Sequence, residues 1–182
     1  FVMGEGAGVM VLEEWDMAVE RGATILAEIL GGASTADAHH ITAPSPGGIG
    51  AITCMRIALE EAGVEPDQVR HINAHGTSTP LNDMAEAFAM AEVFGPDGPL
   101  VTSTKGITGH ALGAAGAIEA VAVVLAMNSK LIPPTAGYTT SDPEMPPINL
   151  VTGSPAPWEP GISMSNSFGF GGHNGSLVIA PA

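Results

Sequence analysis

Short apolar runs alternate with longer segments of helical spacing along most of the chain. The apolar runs are bounded by glycine, proline or charged residues, and they predict strands at 8–12, 25–30, 69–74, 100–103, 162–166 and 176–180. The segments of helical spacing predict helices at 15–21, 47–62, 80–94 and 111–127. The stretch 133–160 contains many prolines and is predicted to be a loop. Strands alternating with helices in this way are typical of an α/β protein.

The predicted helix at 111–127 is almost wholly apolar and is interrupted only by Glu119. A membrane span is one interpretation, but the segment is shorter than the roughly 20 residues that a span needs, and it carries an acid near its middle. A helix that is apolar all round is otherwise buried, and here it would lie between two sheets. The pattern therefore predicts a layered α-β-α-β-α architecture, with no second domain within residues 1–182.

Composition and charge narrow the class of protein. The 182 residues are 45% hydrophobic, which is enough to build one domain with a real core. The only cysteine, Cys54, excludes an intrachain disulfide, and its place in a helical pattern predicts a small buried hydrophobe. A net charge of −14 argues against nucleic-acid or anionic-membrane partners. The first residues do not resemble a secretory signal, so the expected location is cytoplasmic.

Two histidines and a lysine follow neighbouring predicted strands. His75 lies in the loop between the strand at 69–74 and the next helix, while Lys105 and His110 follow the strand at 100–103. Open sheets bind ligands at such strand ends. Two converging neutral imidazoles can donate hydrogen bonds to a carbonyl oxygen as it gains negative charge, which suits a thioester enolate. In contrast, His39, His40 and His71 are predicted to be ordinary core or surface residues.

Three acids accompany this group. Asp83 and Glu86 are three residues apart and share a helix face just after the His75 loop. Glu119 lies within the apolar helix and needs a cation, for which Lys105 is the nearest candidate. A metal site is the weaker interpretation, because the two histidines lack a short-spaced pair of ligands and no cysteine cluster exists.

Several separate motifs carry a resemblance over essentially the whole chain. They are Gly4-Glu5-Gly6-Ala7-Gly8, Asn73-Ala74-His75-Gly76-Thr77-Ser78-Thr79, Ser103-Thr104-Lys105, Thr108-Gly109-His110-Ala111-Leu112-Gly113-Ala114-Ala115-Gly116 and Asn166-Ser167-Phe168-Gly169-Phe170-Gly171-Gly172-His173-Asn174. In order and spacing they resemble the C-terminal half of an elongating β-ketoacyl-acyl carrier protein synthase. The resemblance implies a thiolase-like fold, of which this chain supplies one βαβαβ half, in an enzyme that is a homodimer when complete.

The resemblance also implies a role for each candidate residue. His75 and His110 would polarise a malonyl thioester and stabilise its enolate, and Lys105 would order the His110 side. Asp83, Glu86 and Glu119 would be the charged neighbours of Lys105. The backbone N–H of Phe170 would form part of an oxyanion hole, and its ring would gate the acyl pocket beside Phe168. Thr77 and Thr79 would hydrogen-bond the phosphopantetheine arm.

The resemblance also implies a missing half of the enzyme and a partner protein. The nucleophilic cysteine of the family belongs to its N-terminal half, which is absent here, so the isolated chain is expected to be inactive. The acyl carrier protein is the expected partner and brings the phosphopantetheine, while no cofactor is expected to be bound covalently. Its docking patch of lysine and arginine would come mainly from the missing half, because this chain has five basic residues. Two alternatives stay open: a polyketide ketosynthase or its chain-length partner subunit, and a non-catalytic truncated module.

Overall fold

The computed structural model describes residues 2–182, and Phe1 lies outside the described residues. Six strands form one sheet, which runs in the spatial order β1 (Glu28–Ala36), β8 (His173–Ala180), β7 (Ile162–Gly169), β2 (Val69–Asn73), β3 (Leu100–Thr102) and β5 (Asn149–Leu150). The pairs β7–β2, β2–β3 and β3–β5 are parallel, whereas β8 is antiparallel to both of its neighbours. A separate antiparallel pair joins β4 (Leu131–Ile132) to β6 (Ala156–Pro157). The sheet is therefore mixed, with a parallel centre.

Helices cover both faces of this sheet. They are α1 (Trp15–Glu20), α2 (Ile49–Ala62), α3 (Pro80–Phe94), α4 (Lys105–Thr108) and α5 (Ala115–Ser129). On one face α2 and α3 bury a core that includes Met55, Met90 and Val178. On the other face α5 packs against a second cluster, to which Ile179 belongs. Because neighbouring residues of a strand point to opposite faces, Val178 and Ile179 of β8 join the two cores to one sheet.

The helix predictions are confirmed with small changes at their ends. The bounds of α3 match the prediction, because Pro80 occupies the first helical turn and Gly95 follows the last residue. Gly63 ends α2 in the left-handed conformation at φ +64°. The helix predicted at 111–127 begins later, at Ala115, because a 3-10 turn at Leu112–Ala114 precedes it. The closing strand pair is confirmed and is longer than predicted at the turn.

Two strand predictions were wrong in place. Residues 8–12 lie in no strand ladder, and Val9 and Val11 are 86% and 89% exposed. The strand predicted at 25–30 begins at Glu28 and continues to Ala36. Gly31 and Gly32, which follow the predicted end, lie inside the strand and do not form a turn. A Cβ at Gly31 would lie 2.7 Å from the backbone nitrogen of Ala62, so this strand needs glycine where α2 crosses it. The predicted loop at 133–160 contains the short strands β5 and β6.

The apolar helix α5 lies between two chain segments. One side packs on β7 of the sheet. On another side the extended segment 4–10 crosses it, with Met10 packed against the cluster around Val123. A Cβ at Gly8 would lie only 2.8 Å from the backbone of Ala117, so the two backbones are in close contact. The segment Leu112–Ser129 is long and apolar enough to span a membrane by length and composition alone, and 33% of it is buried in this structure.

Candidate functional site

The candidate residues meet at the carboxyl ends of two parallel strands. His75 follows β2 by two residues, and Lys105 begins α4 just after β3. Register pairs Asn73 with Thr102, so both strands deliver the chain to the same sheet edge. Gly76 adopts φ +41°, and a Cβ there would lie 2.6 Å from the Ser103 side chain, so only glycine allows this approach of the two loops.

His75 is buried and its tautomer is set by Lys105. The Nζ atom of Lys105 lies 3.4 Å from Nδ1 of His75. An ammonium group can only donate, so Nδ1 accepts and Nε2 carries the hydrogen. Burial lowers the pKa of His75, and together with the charges of Lys105 and His110 it brings the pKa to about 3. His75 is therefore neutral at physiological pH.

Backbone groups of nearby residues hold His110 in place. Its Nδ1 accepts the backbone N–H of Leu112 at 3.2 Å, which again leaves the hydrogen on Nε2. Leu112 adopts φ +52°, a conformation that is rare for leucine and that aims this N–H at the ring. The backbone of His110 also bonds to Val2 and Gly4. Burial lowers the pKa of His110, and the charge of Lys105 adds to the shift.

The two imidazoles lie next to each other. Their ring centroids are 5.3 Å apart and the rings are nearly perpendicular, at 81°. Both rings use Nδ1 as an acceptor, so both present Nε2–H as a donor. The arrangement offers two neutral N–H donors within one small space, which can stabilise an oxygen that gains negative charge.

Lys105 and Glu119 form a buried ion pair between α4 and α5. This predicted contact is present, and both side chains are almost fully buried. Burial raises the pKa of Glu119 to about 7, and the charge of Lys105 acts in the opposite direction. The ion pair fixes the ammonium beside His75, because Glu119 binds it from the side of α5.

The other two acids order the His75 loop and do not bind Lys105. Glu86 accepts the backbone N–H groups of His75 and Gly76, both at 2.8 Å. Asp83 accepts the N–H of Ser78 at 3.2 Å. Burial raises the pKa of each carboxyl. The sequence analysis placed both acids around Lys105, whereas their carboxylate oxygens accept hydrogen bonds from backbone N–H groups of the His75 loop.

The predicted substrate-binding residues lie near His75, whereas Phe170 lies in an exposed turn. Thr77 and Thr79 lie in the same loop, with hydroxyl oxygens 2.8 Å apart. The ring of Phe168 packs against His75 with centroids 5.9 Å apart. Phe170 is 61% exposed and lies in a 3-10 turn at Phe170–Gly172. In this conformation Phe168 is the phenylalanine next to the imidazole.

Asp37 and Asn174 were not found by sequence analysis. The Asp37 carboxylate accepts hydrogen bonds from the Asn174 amide at 2.7 Å and from the Ser45 backbone at 2.9 Å. The backbone N–H of Asp37 donates to the carbonyl of Gly172 at 2.8 Å. Together these bonds tie the turn at Phe170–Gly172 to the loop after β1. Asn174 belongs to a recognised motif, but nothing in the sequence around Asp37 indicates this contact.

The residues predicted to be structural are placed as expected. His71 and Cys54 are fully buried, and His39 and His40 are exposed. Among residues 2–182 no group of three or more His, Cys, Asp or Glu side chains is placed to hold a metal ion.

Comparisons with known proteins agree with this geometry. Residues 26–139 match the family model described as beta-ketoacyl synthase, C-terminal domain. The chain is 48% identical over 181 residues to 3-oxoacyl-[acyl-carrier-protein] synthase 2 of Synechocystis sp., covering 98% of this chain and 43% of that protein. It is 48% identical to the chloroplastic 3-oxoacyl-[acyl-carrier-protein] synthase II of Arabidopsis thaliana, covering 34% of it. The chain thus spans less than half the length of these relatives.

Solved structures give the same assignment of the fold. The ishigamide ketosynthase/chain length factor superposes with a TM-score of 0.94 at 39% identity, over 99% of this chain and 44% of that one. A beta-ketoacyl synthase from Burkholderia phymatum superposes with a TM-score of 0.90 at 38% identity, over 93% and 41%. A complex of a type II polyketide acyl-carrier protein with its ketosynthase, AntDE:AntF, gives 0.89 at 35% identity, over 93% and 42%. The fold is therefore the thiolase-like fold, in its C-terminal half.

Proposed function

Because this chain belongs to the β-ketoacyl synthase family and matches its C-terminal domain, we propose that it is part of a 3-oxoacyl-[acyl-carrier-protein] synthase. The complete protein would lengthen acyl chains by decarboxylative Claisen condensation with malonyl carrier protein. Relatives of that name match over 98% to 100% of this chain. The single observation that carries the proposal is the pair of imidazoles, His75 and His110, whose ring centroids lie 5.3 Å apart and whose Nδ1 atoms both accept hydrogen bonds.

The pair supports the decarboxylation step. The thioester oxygen of the malonyl group would accept hydrogen bonds from both Nε2–H groups and gain charge as carbon dioxide leaves. Donors that are already oriented in a buried site stabilise this charge without reorganisation. Lys105 and Glu119 would keep His75 in the donating tautomer. The resulting enolate carbon would attack the acyl thioester on the cysteine.

The acyl-transfer step uses the other side of the site. The backbone N–H of Phe170 would help to form an oxyanion hole, and its exposed ring would gate the acyl pocket beside Phe168. The glycines that follow Phe170 adopt φ near +80°, so this turn is built from residues that move with little steric restriction. Thr77 and Thr79 would hold the phosphopantetheine arm of the carrier protein.

The remaining part of the enzyme would supply the cysteine and a second sheet. Segment 8–12 supports this, because Val9 and Val11 are exposed while Met10 packs against the cluster on α5. Its backbone groups make no ladder bonds within residues 2–182, and such an edge normally pairs with another strand. A second sheet there would complete the α-β-α-β-α layers around α5. We propose this part, a second copy in a homodimer, and the acyl carrier protein as the partners.

The polyketide alternative rests on one observation. One of the similar structures, AntDE:AntF, is a type II polyketide acyl-carrier protein with its ketosynthase, and another is the ishigamide ketosynthase/chain length factor. The curated relatives at 47% to 48% identity are named 3-oxoacyl-[acyl-carrier-protein] synthase 2, which favours the first proposal. These relatives come from bacteria and a chloroplast, and a cytoplasmic location stays a prediction.

The test is malonyl decarboxylation by the complete synthase that contains this chain. His75→Ala and His110→Ala should each lower the rate about 100-fold or more, because each removes one donor from the developing oxyanion. His39→Ala is the control, since His39 is exposed and away from the pair. Near-normal decarboxylation in either site variant would remove that histidine from the mechanism.

A further inference from the structure

Alternate residues of β2 form a buried polar column on the face of the sheet that carries α5. His71 and Asn73 are each 1% exposed, and His75 continues the series just beyond the strand. Ile72 and Ala74 point the other way, into the core beneath α2 and α3. The decarboxylation mechanism uses only the last member of this column, so His71 and Asn73 are polar groups without a role in it.

Several polar atoms in and beside the column have no hydrogen-bond partner among residues 2–182. Ser163 of β7 lies opposite His71 in the strand register, and it is fully buried. Both ring nitrogens of His71, Oδ1 of Asn73 and Oγ of Ser163 make no hydrogen bond to any of residues 2–182. Buried polar atoms are nearly always satisfied, by ordered water where protein groups are lacking. Three of these atoms lie along β2 and the fourth lies beside them on β7, so the column is a polar strip that ordered water can satisfy.

The column connects the site to an opposite groove. The His71 ring packs edge-on against Trp158, with centroids 5.5 Å apart. Trp158 lines an open groove of about 800 Å³ together with Asp67 and Arg70. At the other end of the column, Lys105 contacts His75 and forms an ion pair with Glu119. The helix α5 runs beside the route, with the Ala126 carbonyl accepting the Trp158 indole N–H at one end and Glu119 at the other.

We propose that His71 is a proton-relay residue that, with water held by Ser163 and Asn73, carries protons from the Trp158 groove to the His75–Lys105 site. This inference rests on the proposed function. An imidazole suits the task because it accepts a proton at one ring nitrogen and releases one from the other.

The condensation requires such a supply. Loss of carbon dioxide breaks one C–C bond and leaves its electron pair on the enolate carbon. That carbon forms the new C–C bond to the acyl carbonyl, and the C–S bond to the enzyme breaks. The cysteine leaves as a thiolate and attacks the next acyl thioester, and the carrier-protein thiolate released in that step takes up one proton within the site. Each cycle therefore consumes one proton, while the substrate arm fills the front of the site.

A matched pair of variants tests the relay in the complete synthase. His71→Phe and His71→Tyr have almost the same bulk and differ by one hydroxyl, which can pass a proton. His71→Phe should lower steady-state kcat about tenfold and enlarge the solvent deuterium isotope effect, with KM and the first-turnover condensation rate unchanged. His71→Tyr should keep most of the wild-type rate. Equal turnover and equal isotope effects in wild type and His71→Phe would overturn the relay.

A second readout does not depend on activity. Exchange of the imidazole C2 hydrogen of His71 with deuterated water, followed by mass spectrometry, reports whether water reaches the ring in wild-type protein. Measurable exchange supports the hydrated route, whereas an absence of exchange contradicts it. If the wild-type enzyme condenses normally while both readouts fail, only the relay is wrong. Absence of condensation in wild type would instead count against the proposed function.

Discussion

At the scale of single residues, the site depends on where charge is buried. Lys105 and Glu119 were predicted as partners because an unpaired carboxylate in an apolar helix is costly, and the structure confirms the pair. The tautomers of His75 and His110 could not be predicted from sequence. They depend on a lysine 30 positions away and on the strained backbone of Leu112. Such contacts have no local pattern of residues that would reveal them.

Glu119→Gln tests the buried pair. It leaves the Lys105 ammonium buried without a carboxylate, and we expect a loss of about 3 kcal/mol or more in the free energy of unfolding. Glu92→Gln is the matched control, because the Arg56–Glu92 pair is exposed and should contribute less than about 1 kcal/mol. Denaturant unfolding of the complete protein compares the two. Equal losses would mean that the buried pair does not hold this region together.

At the scale of elements, prediction succeeded where a local signal ends a segment. Pro80 and Gly95 bound α3, and Gly63 ends α2, so these helices were found from sequence. The prediction of a strand at 8–12 was wrong, because that segment pairs with no other strand among residues 2–182. The extension of β1 was missed because Gly31 and Gly32 look like a turn but serve a close helix crossing.

The turn that carries Phe170 is the element most open to a direct test. Asp37→Ala removes the carboxylate that binds Asn174 and Ser45, so hydrogen exchange of the backbone at residues 168–174 should become about tenfold faster. Asp37→Asn, which keeps one oxygen acceptor, should show a smaller change. Acyl transfer should be altered in Asp37→Ala while malonyl decarboxylation stays close to wild type. Unchanged exchange would show that the bonds of Asp37 do not control this turn.

At the scale of the whole molecule, the fold class could be predicted from sequence alone. Strand ends placed His75, Lys105 and His110 at one sheet edge, and the motifs added the family. What sequence could not give were contacts between distant segments, such as Asp37 with Asn174, which are 137 positions apart. These contacts depend on the pairing of β1 with β8, an antiparallel register that no local pattern predicts.

The complete synthase also tests the account at this scale. Supplied with acyl carrier protein bearing an acyl group and with malonyl carrier protein, it should yield a carrier-bound 3-oxoacyl thioester two carbons longer than the starting acyl group. Intact mass spectrometry of the carrier protein measures this product directly. We expect the mass of the lengthened 3-oxoacyl carrier protein with the wild-type synthase, and its absence with the His75→Ala, His110→Ala double variant. Acyl transfer to the enzyme with no lengthened product in wild type would contradict the central claim that this chain carries the condensing half of the site.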